Sequence, residues 1–207
     1  MNNKQIYFIT ATNTDVGKSY ASEVFLKKLA KNGKKVGYLK PIETGVVDNP
    51  LDGTKLLTIT KELNPDFKLT MKDTVPYQFK LPAAPFVSAK VENVNIDINH
   101  IISKIHNALK YCDSLVVEGA GGLFVPIKKE YFIINLIEDI SKEFNTKTIL
   151  IVPSNLGSIN DTLLSQNALE NRKIVYDWYI NLYKDKECFE DVTMPFYKEY
   201  FKKINFL

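Results

Sequence analysis

Apolar residues crowd into five short stretches of this chain. Ile6-Tyr7-Phe8-Ile9, Val36-Gly37-Tyr38-Leu39, Ser114-Leu115-Val116-Val117-Glu118 and Thr148-Ile149-Leu150-Ile151-Val152 are rich in β-branched and aromatic residues, and a looser run spans Ile174 to Ile180. Runs this short, apolar on both alternating faces, predict strands buried on two sides, as in a parallel sheet. Between them the apolar period changes. Ala21, Phe25 and Leu29 fall four apart with Val24 beside them, and Ile98, Ile101, Ile102, Ile105 and Leu109 trace one helical face behind Asp97 as N-cap. Further helices are predicted over roughly Thr54 to Leu63, over Phe132 to Phe144, and after Gly157 with Ile159, Leu163 and Leu164 inward. Gly33 stops the first helix, and the tail from Pro195 reads as an aromatic, lysine-rich helix. Residues 65 to 92 hold four of the nine prolines and no period, so irregular structure is expected there, with an extended piece at Val75-Pro76-Tyr77.

Strands alternating with helices predict a doubly wound α/β fold, one domain over residues 1–207, with a mostly parallel sheet and helices on both faces. Ligands of such sheets bind beyond the carboxyl ends of the strands. The loops that begin at Ala11, Lys40, Glu118 and Pro153 all emerge there. Composition adds little: 45% hydrophobic, 25% charged and a net charge of +3 spread along the chain give no cause to expect a nucleic acid or membrane partner. No apolar run nears the ~20 residues of a membrane span, and the cytoplasm is the expected compartment. Cys112 and Cys188 have no metal or redox spacing. Glycine is more telling, because six of the nine (Gly17, Gly45, Gly119, Gly121, Gly122 and Gly157) stand in the loops at those strand ends.

The first of these loops carries the chemistry. Strand Ile6–Ile9, a small-residue loop, Gly17-Lys18-Ser19 and a helix make the context of a phosphate-binding loop, in which backbone N–H groups and a helix start converge on an anion. The strict pattern would have glycine where Thr12 stands. Lys18 would neutralise phosphate oxygens and Ser19 would offer its hydroxyl to Mg²⁺. Lys40 ends the second strand and reaches the same crevice. Two lysines there would leave excess positive charge for a polyanion or a developing negative charge. Both are read as cleft groups outside the core, so that Lys18→Ala and Lys40→Ala would leave the fold intact. Glu118 closes a buried strand before a glycine run, the place of a magnesium-binding acid. Asp52 is a second acid, with Asp48 beside it and helix capping as its other reading.

Four motifs in order, and a fifth in part, resemble those of the dethiobiotin synthetases, over nearly the whole chain. G-T-D-T-x-V-G-K-T corresponds to Ala11 through Ser19, K-P-x-x-[ST]-G to Lys40-Pro41-Ile42-Glu43-Thr44-Gly45, and V-E-G-A-G-G to Val117 through Gly122. L-G-x-I-N corresponds to Leu156-Gly157-Ser158-Ile159-Asn160, and G-W-x-x-N survives as Trp178 and Asn181, with Asp177 in place of glycine. The resemblance implies a ligase that carboxylates diaminopelargonic acid with CO₂, phosphorylates the carbamate from ATP and closes a cyclic urea. It implies Lys18 and Lys40 as catalytic groups and an ATP site of Asp15, Val16, Gly17, Lys18, Ser19, Tyr20, Asp52, Glu118, Gly119, Ala120, Gly121 and Asn181. Mg²⁺ would be held by Ser19, Asp52 and Glu118. Thr14 and Thr44 would contact the substrate. Its far carboxylate would sit at Gly157, Ser158, Ile159 and Asn160 of a partner subunit, which makes the enzyme a homodimer with its site at the interface.

Departures are local. Ala11 replaces a family glycine, the family's S-P-H segment reads Ala84-Pro85-Phe86, and the adenine motifs are recognisable only at Asn181 and Met194-Pro195. A partition- or septum-type ATPase switch is the main alternative. Its phosphate loop carries a lysine where this chain has Asn13, and it has no counterpart of Lys40 to Gly45. A glutaminase-linked ligase of the cobyrinic acid group needs a domain that 207 residues cannot hold, and a silent nucleotide-binding module would not need Lys40, Thr44 and Glu118 together.

Overall fold

The computed structural model describes residues 4–183 and 186–207. In chain order the first half runs β1 (Gln5–Ala11), α1 (Lys18–Lys31), β2 (Val36–Leu39), β3 (Ile42–Thr44), α2 (Leu51–Leu63), α3 (Met71–Thr74), β4 (Tyr77–Phe79), α4 (Pro85–Val91) and α5 (Ile98–Ala108). The second half runs β5 (Ser114–Gly122), β6 (Pro126–Lys128), β7 (Tyr131–Phe132), α6 (Ile133–Glu143), β8 (Thr146–Pro153), α7 (Ser158–Asn171), β9 (Tyr176–Asn181), α8 (Lys186–Val192) and α9 (Met194–Tyr200). The expected parallel sheet is present, in the order β2-β5-β1-β8-β9.

Period-two alternation divides the strand residues between two cores. Ile6, Phe8, Leu115, Val117, Leu150 and Val152 pack on one face of the sheet. Ile9, Ala11, Val116, Ile149 and Ile151 pack on the other, under α1. That is why the strand runs are apolar without a break, and each fully buried Leu, Ile or Phe among them contributes about 1.5–3 kcal/mol.

Several expectations are corrected. β5 continues past Glu118 to Gly122, because after a bulge Ala11 pairs again with Gly122. α2 begins at Leu51 rather than Thr54, for a reason that lies in the site below. The stretch 65–92 is not wholly irregular: Thr70 and Asp73 form a capping box that starts α3, and the extended piece falls at Tyr77–Phe79, paired with β3. The last strand starts at Tyr176, since Lys173 takes a left-handed conformation (φ 55°) and Ile174 N–H donates back to the Leu169 carbonyl. The β6–β7 hairpin and α8 had no signal in the apolar pattern. α7 is rotated from its expected aspect, burying Ser158, Thr162, Gln166 and Leu169 while Leu164 is 64% exposed. The helix Ile98–Ala108 and its cap are as expected, with the Asp97 carboxylate accepting the Asn99 N–H at 2.9 Å.

Candidate active site

The loop between β1 and α1 turns through two positive-φ residues, Asp15 (56°) and Gly17 (97°). A Cβ at Gly17 would lie 2.2 Å from the Asn181 amide nitrogen, so the loop can rest on the end of β9 only with glycine there. The Asn181 amide in turn donates to the Val16 carbonyl at 3.0 Å. Tyr183, from the segment after β9, donates its hydroxyl to the Asp15 carbonyl. At the start of α1 the buried Lys18 ammonium folds back to the Asn13 carbonyl at 3.2 Å. The loop is thus held by its own lysine, by the end of the last strand and by Tyr183.

Beside it, Glu118 is fully buried and fully partnered. Its Oε1 accepts from Ser19 Oγ (2.9 Å) and Lys40 Nζ (3.0 Å), and its Oε2 from Ser22 Oγ (2.8 Å) and Tyr38 OH (3.3 Å). Four donors offset the large cost of burying a carboxylate. Lys40, 6% exposed, makes a second ion pair with the Asp52 carboxylate at the start of α2. The N-cap position of that helix is Pro50, which offers no side-chain acceptor. Glu43 supplies the cap instead from β3, its two oxygens accepting the N–H groups of Asp52 (3.1 Å) and Gly53 (3.0 Å). The long-range cap explains why α2 begins three residues before the sequence pattern predicts.

The charges are mutually tuned. Burial opposes the Lys40 ammonium, but Glu118, Asp52 and Glu43 outweigh it and raise its pKa well above the usual lysine value. Lys18 goes the other way: burial lowers its pKa, Glu118 only partly offsets this, and the like charge of Lys40 adds to the fall. Burial would raise the pKa of Asp52, yet the Lys40 ammonium and hydrogen bonding pull it below the ordinary carboxylate value. Burial raises that of Glu43 despite Lys40 and the two N–H donors. The expected excess of positive charge is not found, because Glu118, Asp15 and Asp52 act on Lys18, and Glu118, Asp52 and Glu43 act on Lys40. A buried cluster with that balance suits an added cation as well as an anion.

These groups surround a cleft of about 460 Å³ at the carboxyl ends of β1, β2 and β5. Thr14, Asp15, Gly17, Lys18 and Ser19 line it from the loop, and Lys40, Thr44 and Asp52 from the opposite wall. Glu118, Gly119 and Ala120 form its floor. Asp48 is exposed and does not line it, so of the two aspartates Asp52 is the one at the site. Among the other predicted site residues, Val16 is buried, Tyr20 is 51% exposed on α1, and Gly121 and Asn181 lie outside the lining. Gly157, Ser158, Ile159 and Asn160 do not reach this cleft within the chain. Sequence reasoning missed Glu43, Ser22, Tyr38 and Tyr183. Two of these had a signal: Tyr38 shares a strand face with Lys40, and Ser22 lies one helical turn after Ser19.

Asp52 and Glu118 both pair with the Lys40 ammonium and the Ser19 hydroxyl donates to Glu118, so one hydroxyl and two carboxylates adjoin one another at the cleft. Among the described residues no cluster of three or more His, Cys, Asp or Glu could hold a metal alone. That donor set fits Mg²⁺, which takes one or two carboxylates and completes its shell with water and phosphate oxygens.

A family model described as an AAA domain matches residues 5–176. The ATP-dependent dethiobiotin synthetase BioD of Sulfurovum sp. is 48% identical over 195 residues, covering 94% of this chain and 90% of that protein. This chain belongs to the dethiobiotin synthetase family. The Wolinella succinogenes dethiobiotin synthetase is 40% identical over 93% of this chain and 88% of its own length, and that of Helicobacter pylori strain Shi470 is 35% identical over 96% and 90%. Among solved structures, the MinC:MinD cell division complex of Aquifex aeolicus matches 97% of this chain and 79% of that chain with a TM-score of 0.55 at 18% identity. A plasmid partition protein from Borrelia burgdorferi matches 99% and 88% with a TM-score of 0.52 at 13% identity. At such identities the likeness shows a common doubly wound fold and nothing of activity.

Proposed function

We propose that this protein is the ligase that closes the cyclic urea of dethiobiotin from diaminopelargonic acid, CO₂ and ATP. One observation carries the reading: Lys18 of a phosphate loop, Lys40 and the Ser19–Asp52–Glu118 donor set converge on a single cleft. In the reaction an amine of the substrate adds to CO₂ with loss of a proton, giving a carbamate. A carbamate oxygen then displaces ADP from the γ-phosphorus, and the second amine displaces phosphate from the carbamoyl carbon. Carbamate and γ-phosphate are both anionic, so the task of the protein is to bring like charges together. The loop N–H groups and Lys18 bind the phosphate chain, and Lys40 faces the meeting point of the two anions. Thr44 donates to the carbamate or an amine. Mg²⁺, when bound, neutralises phosphate charge.

The far carboxylate of the substrate is assigned to the start of α7 in a second copy of the chain. Support comes from the separation of that helix start from the cleft, and from Leu156 and Leu164 beside it, 80% and 64% exposed. A homodimer in the cytoplasm is therefore proposed; no helix among the described residues is long and apolar enough to cross a membrane. The test is phosphate release from MgATP with diaminopelargonic acid and bicarbonate supplied singly and together. Release only with both supports the reading, whereas equal release without either would favour a switch-type ATPase.

Base selection is expected to be weak. A dedicated polar pocket rejects wrong bases by about a hundredfold or more, because they leave its buried groups unpaired. Here the one amide expected at the base, that of Asn181, is engaged with the Val16 carbonyl. Turnover with GTP and CTP should lie within about tenfold of that with ATP at equal concentration, and Asn181→Ala should weaken ATP binding only modestly. A hundredfold preference for ATP would sink this expectation.

A further inference from the structure

The proposed donor set leaves open what holds Asp52 in place. Asp52 is not in a rigid strand; it sits in the first turn of α2, where backbone N–H groups have no partner within the helix. Those of Asp52 and Gly53 are taken by Glu43 at 3.1 and 3.0 Å, one on each carboxylate oxygen. The seat is tight as well as bonded: a Cβ at Gly53 would lie 3.3 Å from Glu43 Oε2 and 2.5 Å from Val75 Cγ2. Glu43 is itself 7% exposed and lines the cleft two residues after the Lys40-Pro41 step. One short segment therefore grips Asp52 twice, by its backbone through Glu43 and by its side chain through Lys40.

We propose that Glu43 is a positioning residue that fixes the carboxylate of Asp52 toward the cleft and so sets the affinity of the site for its divalent cation. The inference rests on the reading that Asp52, with Ser19 and Glu118, holds that cation. Its physical basis is that groups orienting a metal-binding carboxylate are worth about 10–100-fold in metal affinity, whereas loss of an ordinary helix cap lowers only stability.

The test is direct binding of Mn²⁺, read by electron paramagnetic resonance of the free ion, to the full chain with a non-hydrolysable ATP analogue. Four proteins are compared: wild type, Asp52→Asn, Glu43→Gln and Glu43→Ala. Thermal midpoints are recorded beside the affinities, and Glu43→Gln keeps the shape and one acceptor in case Glu43→Ala folds poorly. Weakening of about tenfold or more is expected for Asp52→Asn and Glu43→Ala, with Glu43→Gln between them and wild type. Wild-type affinity in both Glu43 variants beside a weakened Asp52→Asn would overturn the role of Glu43 alone, even if their thermal midpoints fall. Wild-type affinity in Asp52→Asn would overturn the cation-site reading, and the inference with it.

Discussion

Replacing Lys40 by methionine is expected to lower kcat by about 10²–10³, the usual cost of removing a preorganised charge from a developing anion, with far less effect on nucleotide affinity. On the proposed mechanism the nucleotide would retain the phosphate loop and Lys18, while the carbamate and γ-phosphate would lose the cation between them. The structure adds a cost in stability. Lys40 and Lys18 were expected outside the core, yet they are only 6% and 8% exposed, and Lys40 is paired with the fully buried Glu118. Breaking such a pair costs about 3–5 kcal/mol, at the low end here because Ser19, Ser22 and Tyr38 still donate to Glu118. The sign of the pH effect follows from the raised pKa of Lys40. Its contribution is complete below the unfolded lysine pKa and is lost as pH rises through the higher folded value, so the variant should lack that part of the alkaline loss of stability. Steady-state kinetics with nucleotide titration and urea unfolding check the three effects. A variant with near-normal kcat would remove Lys40 from the chemistry.

Glu118→Gln should be nearly as damaging by a different route. The amide keeps the shape and can still accept from Ser19 or Tyr38, but it cannot balance the buried ammonium of Lys40. Turnover should fall by about 10²-fold or more, with a higher Mg²⁺ requirement, since one of the two carboxylates facing the cation position is gone. Calorimetric titration with MgATP reads the binding change, and an unchanged Mg²⁺ dependence would return Glu118 to a structural part. Because the two groups share one ion pair, Lys40→Met combined with Glu118→Gln should be less destabilised than the sum of the single changes, by about 0.5–3 kcal/mol.

Much of the fold was legible because its strands are buried on both sides and leave unbroken apolar runs, as at Ile6–Ile9 and Thr148–Val152. Legibility failed where tertiary contacts decide. α2 starts early because Glu43 caps it from another strand, β5 runs on because Ala11 pairs again after the bulge, and α7 turns a polar face inward. The same division runs through the site. Gly17, Lys18, Ser19, Lys40 and Glu118 could be read from position relative to strands. Glu43 could not, because its importance lies in two N–H groups from another element. The cell-division and plasmid-partition structures of similar fold show how little the sheet alone says about chemistry.

Ring closure by this protein is tested with ¹³C-bicarbonate. The purified protein is incubated with diaminopelargonic acid, MgATP and the labelled bicarbonate, and the products are analysed by mass spectrometry. The expected product is a cyclic urea one mass unit heavier than the unlabelled one, formed with one phosphate released per ring closed. Phosphate released without any labelled cyclic urea would contradict it.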